Sequence, residues 1–443
     1  MKRVLASLFV VIFGVGFSAE ASLQLEKEVV SFQLSNGMTW ILLRRPEVPV
    51  FSGMIMVKAG GMDEPAGKSG LAHMFEHMAF KGSPDIGAQL DNEVWTVLTR
   101  NGAEDLNAFT SKDLTAYHVS LPSTKLPLWL YISSEIVMRP VMRQFVEERN
   151  VVLEERRLRY DNSPIGFAME KFIELAYPEG PYRISPIGLP EHVKTLTEED
   201  AYAFHRKHYT PDQMVGVMIG DVDVAAAKRE IQRFWGKYPK KISKFKVQNS
   251  KFKLGTEEKK KSVVFDAEPF LLMGFHKPAP PHRDDYAFDI LQSLLCGGRT
   301  GWLEKILVKE KHQATQVWCS NGFPGNRLDN LFIIGAAPAK GVSLSKLEEG
   351  VAGVLQEISS HLTEKELKII RKQIQASFYE TLESNLELAE NLAMTQLLTG
   401  DWHYVVRYSD VIASFTVAEL QKAAEKYLKK ENQAVLYREK GKK

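Results

Sequence analysis

The second half of this chain resembles the first half, and that repeat constrains the fold more than any other feature of its 443 residues. Segments that begin at 72, 148 and 197 have counterparts that begin at 288, 366 and 416. The counterparts keep the same order, at offsets of 216 to 219 residues. We therefore expect two structurally homologous halves, which agrees with the roughly two to three domains that this length favours.

Each half is predicted to combine a sheet with helices. Residues 31–58 show strand patterns that are interrupted at Asn36-Gly37, a strong hairpin signal. Residues 126–160 have helical periodicity, and Thr197 precedes a run of acidic residues as a helix N-cap does. The predicted fold class is α+β: two α/β-sandwich halves, each a mixed or antiparallel sheet with helices packed on it.

The first 21 residues differ in kind from the rest of the chain. Lysine and arginine precede an apolar run that is too short to cross a bilayer comfortably and that ends in Ala19-Glu20-Ala21. Because this small-x-small pattern is typical of a signal-peptidase site, we expect a signal peptide over residues 1–21. The mature protein is then expected to be exported, to the periplasm of a Gram-negative bacterium, without a stable membrane span. An uncleaved N-terminal anchor is the alternative.

A lysine-rich stretch separates the two halves. Residues 237–261 hold ten lysines and few large apolar side chains, which is the composition of a solvated linker. We expect an N-terminal catalytic domain over residues 22–236, a lysine-rich linker over residues 237–262 and a C-terminal domain over residues 263–443.

Charge and cysteine content argue against two classes of function. A formal net charge of +2 gives no reason to expect a nucleic-acid partner. Cys296 and Cys319 are the only cysteines, too few and too far apart for a cysteine-ligated zinc site. They could form a single disulfide in an oxidising compartment or remain buried thiols.

The motif with the clearest chemistry is "GLAHMFEHMAFKGS" at residues 70–83. On a helix, His73 and His77 lie one turn apart on one face, so both rings can reach one tetrahedral Zn²⁺. Glu76 points to the side of that face, where a general base can act without being a ligand. The alternative is an amphipathic helix whose histidines have ordinary partners.

A catalytic zinc needs a third protein ligand and an open position. The stretch "FVEERNVVLEERRLRYDNSP" offers four glutamates, although it also has the pattern of a charged, solvent-facing helix. Glu148 and Glu155 are seven residues apart and so share a helix face. Residue spacing alone does not choose between Glu154 and Glu155 as the ligand.

Three segments together resemble the signatures of the inverzincin metallopeptidases, the family of pitrilysin, insulin-degrading enzyme and the mitochondrial processing peptidase β-subunit. These segments are "GLAHMFEHMAFKGS", "LNAFTSKDLTAYHVSLP" and "ERNVVLEERRLRYDNSP". The short bacterial members with two domains are nearest in length. The resemblance implies a zinc-dependent endopeptidase acting on peptides or unfolded polypeptide segments, with one Zn²⁺ per chain.

The same resemblance assigns roles to individual residues. It implies His73, His77 and Glu155 as zinc ligands, Glu76 as the catalytic general base and Glu148 as a supporting carboxylate. The family pattern also implies an extended substrate-binding edge, at which a peptide adds itself as a strand. That edge comprises Asn107, Ala108, Phe109 and Thr110. For Phe109, plain core packing is the alternative.

The second half lacks this chemistry. Asp289, Gln292 and Ser293 stand where the first half has His73, Glu76 and His77, and Gln373 stands opposite Glu155. If the halves share a fold, the fold does not require the metal-binding set. The stretch "GGRTGWLEKIL" also departs from the family. Relatives often have a Ser-Arg-Leu-Tyr-like segment after these glycines, whereas this chain has Gly301, Trp302, Leu303 and Glu304 there. Arg299 as a substitute for the usual Arg is the alternative. This departure supports the alternative function, a non-catalytic partner subunit or peptide-binding module. The resemblance implies a homodimer or a heterodimer with a family member that lacks the motif.

Overall fold

The structure is a computed structural model that describes residues 24–87, 92–240 and 255–441. The predicted signal peptide and residues 241–254 of the predicted linker lie outside these ranges. Within them no helix is long and apolar enough to cross a membrane.

The first half contains a six-stranded sheet in the order β1-β2-β6-β3-β5-β4. Strand β2 pairs parallel with β6, and the other neighbouring strands are antiparallel, so the sheet is mixed. The Asn36-Gly37 turn joins β1 and β2 as predicted, and β2 is a continuous buried apolar run that lies between β1 and β6. The strands are β1 (Val30–Gln33), β2 (Thr39–Arg44), β3 (Val50–Val57), β4 (Glu104–Thr110), β5 (Thr115–Pro122) and β6 (Met214–Gly220).

The second half repeats this topology with one strand fewer, in the order β7-β11-β8-β10-β9. Its single parallel pair, β11 with β7, corresponds to β6 with β2, and its edge strand β9 corresponds to β4. The predicted pair of homologous sheets is therefore confirmed. The strands are β7 (Lys259–Phe265), β8 (Phe270–Lys277), β9 (Ala314–Phe323), β10 (Asn330–Pro338) and β11 (Gln433–Lys440).

Helices cover both sheets. Thr197 and Thr416 each cap a helix through a reciprocal capping box, at matching positions of the repeat. Short π-helical turns occur at Arg157–Asp161 and Glu304–Glu310. The α-helices are α1 (Leu71–Ala79), α2 (Val94–Arg100), α3 (Leu126–Met138), α4 (Phe145–Arg156), α5 (Pro164–Ala176), α6 (Pro190–Val193), α7 (Glu198–His208), α8 (Val224–Phe234), α9 (Arg283–Cys296), α10 (Leu344–His361), α11 (Glu364–Glu383), α12 (Asn385–Thr399), α13 (His403–Ala413) and α14 (Val417–Tyr427).

The halves exchange one helix each. Helix α5 lies in the first half of the sequence, but its Ala168 and Phe172 are buried against the second sheet. Helix α12 lies in the second half, but its Leu388 and Leu392 are buried against the first sheet. The division expected at residues 236–263 therefore does not describe the packing, because each sheet buries one face under a helix from the other half.

The predicted linker also ends earlier than expected. Residues 259–261 are lysines within the predicted linker, but they form the start of β7. Their backbone pairs in parallel with Ala434, Val435 and Leu436 of β11. Their side chains are largely exposed at the sheet edge, so strand pairing prevails over a composition typical of linkers.

The two cysteines are joined. Cys296 at the end of α9 and Cys319 in β9 form a disulfide with their Cα atoms 5.7 Å apart. Of the two alternatives left open by the sequence, the structure has the bridge, which ties the central helix of the second half to its edge strand.

Candidate metal centre

Helix α1 presents its polar residues on one face because its apolar residues are buried on the other. Leu71, Met74, Phe75 and Met78 lie in the core of the first half. Gly70 precedes the helix with a φ of 91°, and a Cβ there would meet the Ile187 carbonyl oxygen at 2.7 Å. The glycine thus allows the chain to turn tightly into the helix that carries the motif.

Three potential metal-binding side chains converge between α1 and α4. Glu155 Oε2 lies 3.3 Å from His77 Nε2 and 3.8 Å from His73 Nε2. One ligand atom from each of the three lies within 4.8 Å of the others. Ligand atoms around a tetrahedral ion with bonds of about 2.0–2.2 Å are about 3.3–3.6 Å apart. Donor types and spacing therefore fit a divalent ion such as Zn²⁺.

Protonation of the two rings is set by their surroundings. Burial, with the neighbouring His77, lowers the pKa of His73 to about 4, so this ring is neutral near pH 7. Burial also lowers the pKa of His77, but its hydrogen bonds with Glu148 and Glu155 outweigh this effect and raise the pKa to about 9. A cation between His77 and Glu155 would take the place of the proton that their contact holds in the metal-free chain.

Glu148 orients His77 by contacting Nδ1, the ring nitrogen that does not face Glu155. Its Oε1 lies 2.9 Å from His77 Nδ1, and its Oε2 lies 2.6 Å from the Lys81 ammonium group. These contacts lower the pKa of Glu148 to about 2, and the hydrogen bond with His77 has the largest effect. The side chain is therefore ionised and can only accept hydrogen bonds. His77 Nδ1 must then carry the proton, which leaves Nε2 free to bind a metal.

The structure distinguishes the two glutamates that residue spacing left open. Glu155 faces the histidines, and its second oxygen accepts from Arg159 at 3.0 Å. The hydrogen bond with His77 is the largest of the influences that lower its pKa. The side chain of Glu154 is 62% exposed and pairs with Arg157 at 2.8 Å. Glu154 is therefore directed away from the centre.

Glu76 lies beside the three convergent side chains rather than among them. It is buried, and Thr110 of β4 donates a hydrogen bond of 2.5 Å to its Oε2. Burial raises its pKa, in spite of that hydrogen bond. A carboxylate with a raised pKa, held by one donor at the wall of a cleft, can accept and return a proton.

All the predicted site residues line one cleft of about 750 Å³. Strand β4 forms one wall and is the edge strand of the first sheet. Phe109 also packs in part against the core on the far face of that sheet, so core packing accounts for at least part of its position. The described residues that line this cleft all precede residue 160, and Arg299 is not among them.

Some neighbours of the centre were missed by sequence reasoning. Lys81 follows His77 by four residues, in the turn directly after α1, a spacing that could have identified it. Arg159 follows Glu155 by four residues in the same way. Both are basic groups that hold the carboxylates of the site in place.

The counterpart in the second half is not a metal centre. Asp289, Gln292, Ser293 and Gln373 line a separate cleft there. Among the described residues, the His73, His77 and Glu155 group is the one set of three that could hold a metal ion.

Comparison with known proteins gives two family-model matches along the chain. Residues 41–183 match the insulinase (peptidase family M16) model, and residues 195–374 match the peptidase M16 inactive-domain model. The zinc protease PqqE of Helicobacter pylori is 28% identical over 437 residues, which cover 97% of this chain and 96% of that one. A crystal structure of a protease from Helicobacter pylori superposes with a TM-score of 0.86 at 26% identity, over 93% of this chain and 99% of that one.

A further structure shares the fold alone. The peptidase M16 inactive domain from Pseudomonas fluorescens superposes with a TM-score of 0.83 at 18% identity, over 94% of this chain and 98% of that one.

Fold and site together define a peptidase-like chain with two homologous halves, whose described residues form one cleft with a set of side chains that could hold a metal ion. It belongs to the insulinase family of peptidases, family M16, in its short two-domain form.

Proposed function

We propose that this protein is a zinc-dependent endopeptidase that hydrolyses peptides or unfolded polypeptide segments. The observation that carries the proposal is the convergence of His73, His77 and Glu155 beside a buried Glu76. Relatives named as zinc proteases, such as PqqE, support the choice of metal.

His73, His77 and Glu155 would hold the zinc ion, and Glu148 would keep His77 in the tautomer that binds it. When bound, zinc supplies Lewis-acid chemistry: it lowers the pKa of water and polarises the scissile carbonyl. Glu76 would accept the proton of the attacking water and return it to the departing amine. Thr110 would hold the Glu76 carboxylate in place for both transfers.

The substrate would bind as an added strand. Strand β4 lies at the edge of its sheet, and Asn107 and Phe109 line the same cleft as Glu76. Main-chain hydrogen bonds to an edge strand tolerate many side chains, which suits an enzyme for unfolded segments. We therefore expect little sequence preference and strong discrimination against folded substrates.

A second polypeptide would complete the chamber. In support of this, the described residues that line the cleft come from the first half alone. The partner would be a second copy of this chain or a related chain without the motif. Light scattering combined with cleavage assays tests this: one-chain particles with full activity would contradict it.

Export is part of the proposal. The apolar run that ends at Ala21 predicts a mature protein that begins at Ser22. Mass measurement of the N-terminal peptide from the periplasmic fraction of the source bacterium tests this directly.

The decisive experiment compares the zinc-loaded full chain with its Glu76→Gln variant. Cleavage of a mixture of quenched fluorescent peptides should fall by about 10²–10⁴-fold, because the general base is removed. Zinc content should stay at one ion per chain, because Glu76 is not a ligand. Full activity in the variant would overturn the proposed function.

A further inference from the structure

The second half contains a cleft of about 850 Å³ that has no part in the proposed hydrolysis. Asp289 and Ser293 of α9 line it, as His73 and His77 of α1 line the metal-competent cleft. Edge strand β9 borders it through Trp318, and α11, α12 and α13 close the other sides. The metal-free half has thus kept a cavity at this position while exchanging the side chains inside it.

The charge in this cleft is negative and only partly balanced. Asp285 is paired with the fully buried Lys277. Among the described residues, the hydrogen-bond partners of Asp289 are neutral: Asn321 Nδ2 at 2.8 Å and the Tyr408 hydroxyl at 3.2 Å. The described residues that line the cleft include no lysine, arginine or histidine. Two carboxylates therefore share the charge of one lysine, and that lysine is in direct contact with Asp285 rather than Asp289.

The walls next to this carboxylate are aromatic. The rings of Tyr286 and Phe378 lie 6.1 Å and 5.4 Å from the ring of Tyr408, which itself contacts Asp289. Trp318 and Tyr404 also line the cleft. Aromatic faces attract cations, most strongly where water is excluded. The disulfide between Cys296 and Cys319, both lining residues, holds the helix and the edge strand that flank the opening.

We propose that this cleft binds an organic cation, whose ammonium or guanidinium group pairs with Asp289 beside Tyr408, against the aromatic wall that Tyr286 and Phe378 extend. Two sources could supply the group: a free small organic cation or a basic side chain of a peptide. Metal ions fit less well, because the groups that hydrogen-bond Asp289 are an amide and a hydroxyl, and the neighbouring Asp285 carboxylate is already paired with Lys277.

Burial and the neighbouring Asp285 raise the pKa of Asp289 to about 6. The carboxylate is therefore largely ionised at pH 7.5, the condition chosen for the binding measurement. A bound cation would stabilise that charge where water reaches it poorly.

The test is calorimetric titration of the zinc-loaded full chain, carrying Glu76→Gln so that peptides are not cleaved. One arm uses benzylammonium, with benzyl alcohol as its neutral counterpart. The other arm uses an end-blocked alanine pentapeptide with a central arginine, and the same peptide with neutral citrulline. Binding of either cation with at least about tenfold preference over its neutral counterpart is expected. Which arm responds identifies the source.

Variants assign the binding to this cleft. Asp289→Asn should weaken binding by about tenfold or more, because it removes the charged acceptor. Glu425→Gln, a change to an exposed acid elsewhere in the second half, should leave it unchanged. Should Asp289→Asn fail to fold, Ser293→Lys, which places an ammonium group in the cleft, should abolish binding.

Equal affinity for charged and neutral probes, no binding of either cation, or unchanged binding in the variants would overturn the proposal. Since no cleavage is measured, this failure is distinct from failure of the proposed hydrolysis.

Discussion

Helices α1 and α9 occupy the same position in two sheets of the same topology, yet their polar faces differ completely. Helix α1 directs two histidines at Glu155 and holds Glu76 beside them, whereas α9 directs Asp289 at an amide and a hydroxyl. Among the described strands, the sheet order and the single parallel pair are the same in both halves, apart from the additional edge strand β1 of the first half. The fold therefore needs the helix but not the metal-binding residues.

The halves differ in chemistry but depend on each other for packing. Besides the exchanged helices α5 and α12, the loop between β9 and β10 enters the first half. There Arg327 donates to Asp63 at 2.7 Å, and the backbone of Asn326 and Arg327 donates to Asp113. Tyr182 also donates to Asp113, at 2.7 Å. The second half thus supports the turn that follows the predicted substrate strand.

The largest expected effect comes from breaking this junction. Arg327→Met leaves the buried Asp63 without its cation, which should lower the free energy of unfolding by about 3–5 kcal/mol. Urea denaturation measures the loss. Arg206→Met is the matched control, because its pair with Glu199 is exposed and should contribute less than about 1 kcal/mol. Equal losses in both variants would show that the junction does not hold the halves together.

The next effect concerns the ligand that lies outside α1. Glu155→Gln removes the carboxylate that both histidines face. It should reduce zinc affinity and cleavage by more than about 100-fold, because the loss of a residue that only supports a ligand reduces them by about 10–100-fold. Competition with a chelating dye measures the affinity. The adjacent Glu154→Gln should change little, because that side chain pairs with Arg157 in solvent. The reverse result would assign the ligand to Glu154.

A smaller effect on zinc affinity is expected from Glu148, which contacts the ring of His77 at Nδ1. Glu148→Gln should weaken zinc binding by about 10–100-fold, because the neutral amide no longer enforces the tautomer of His77. The same dye competition applies, with exposed Glu147→Gln as the control. Unchanged affinity would mean that packing alone orients the ring.

The smallest effect should come from the second half. Ser293→Ala alters the residue that stands where His77 stands in the first half. Zinc should stay at one ion per chain and cleavage should change by less than about twofold, because the serine lies away from the metal centre. Metal analysis and the peptide assay measure both. Loss of zinc would mean that the second cleft contributes to metal binding.

Much of the fold could be predicted because its signals are local. The capping boxes at Thr197 and Thr416, the turn at Asn36-Gly37 and the repeat offset each depend on a few neighbouring residues. The exchange of α5 and α12 could not be predicted in this way. Both helices have an apolar surface, and the apolar face of either sheet could pack against it.

For the site, the sequence by itself determined the pairing of His73 with His77 and the side position of Glu76, because helical geometry fixes neighbours one turn apart. It also determined that the second half has no matching set. Tertiary structure decided the contacts between segments that are far apart in the sequence. These are which glutamate of α4 faces α1, which loop contacts Asp63, and which aromatic rings line the cleft of Asp289. Those contacts depend on how helices rotate and pack against their sheets, and residue spacing along one segment does not specify that rotation.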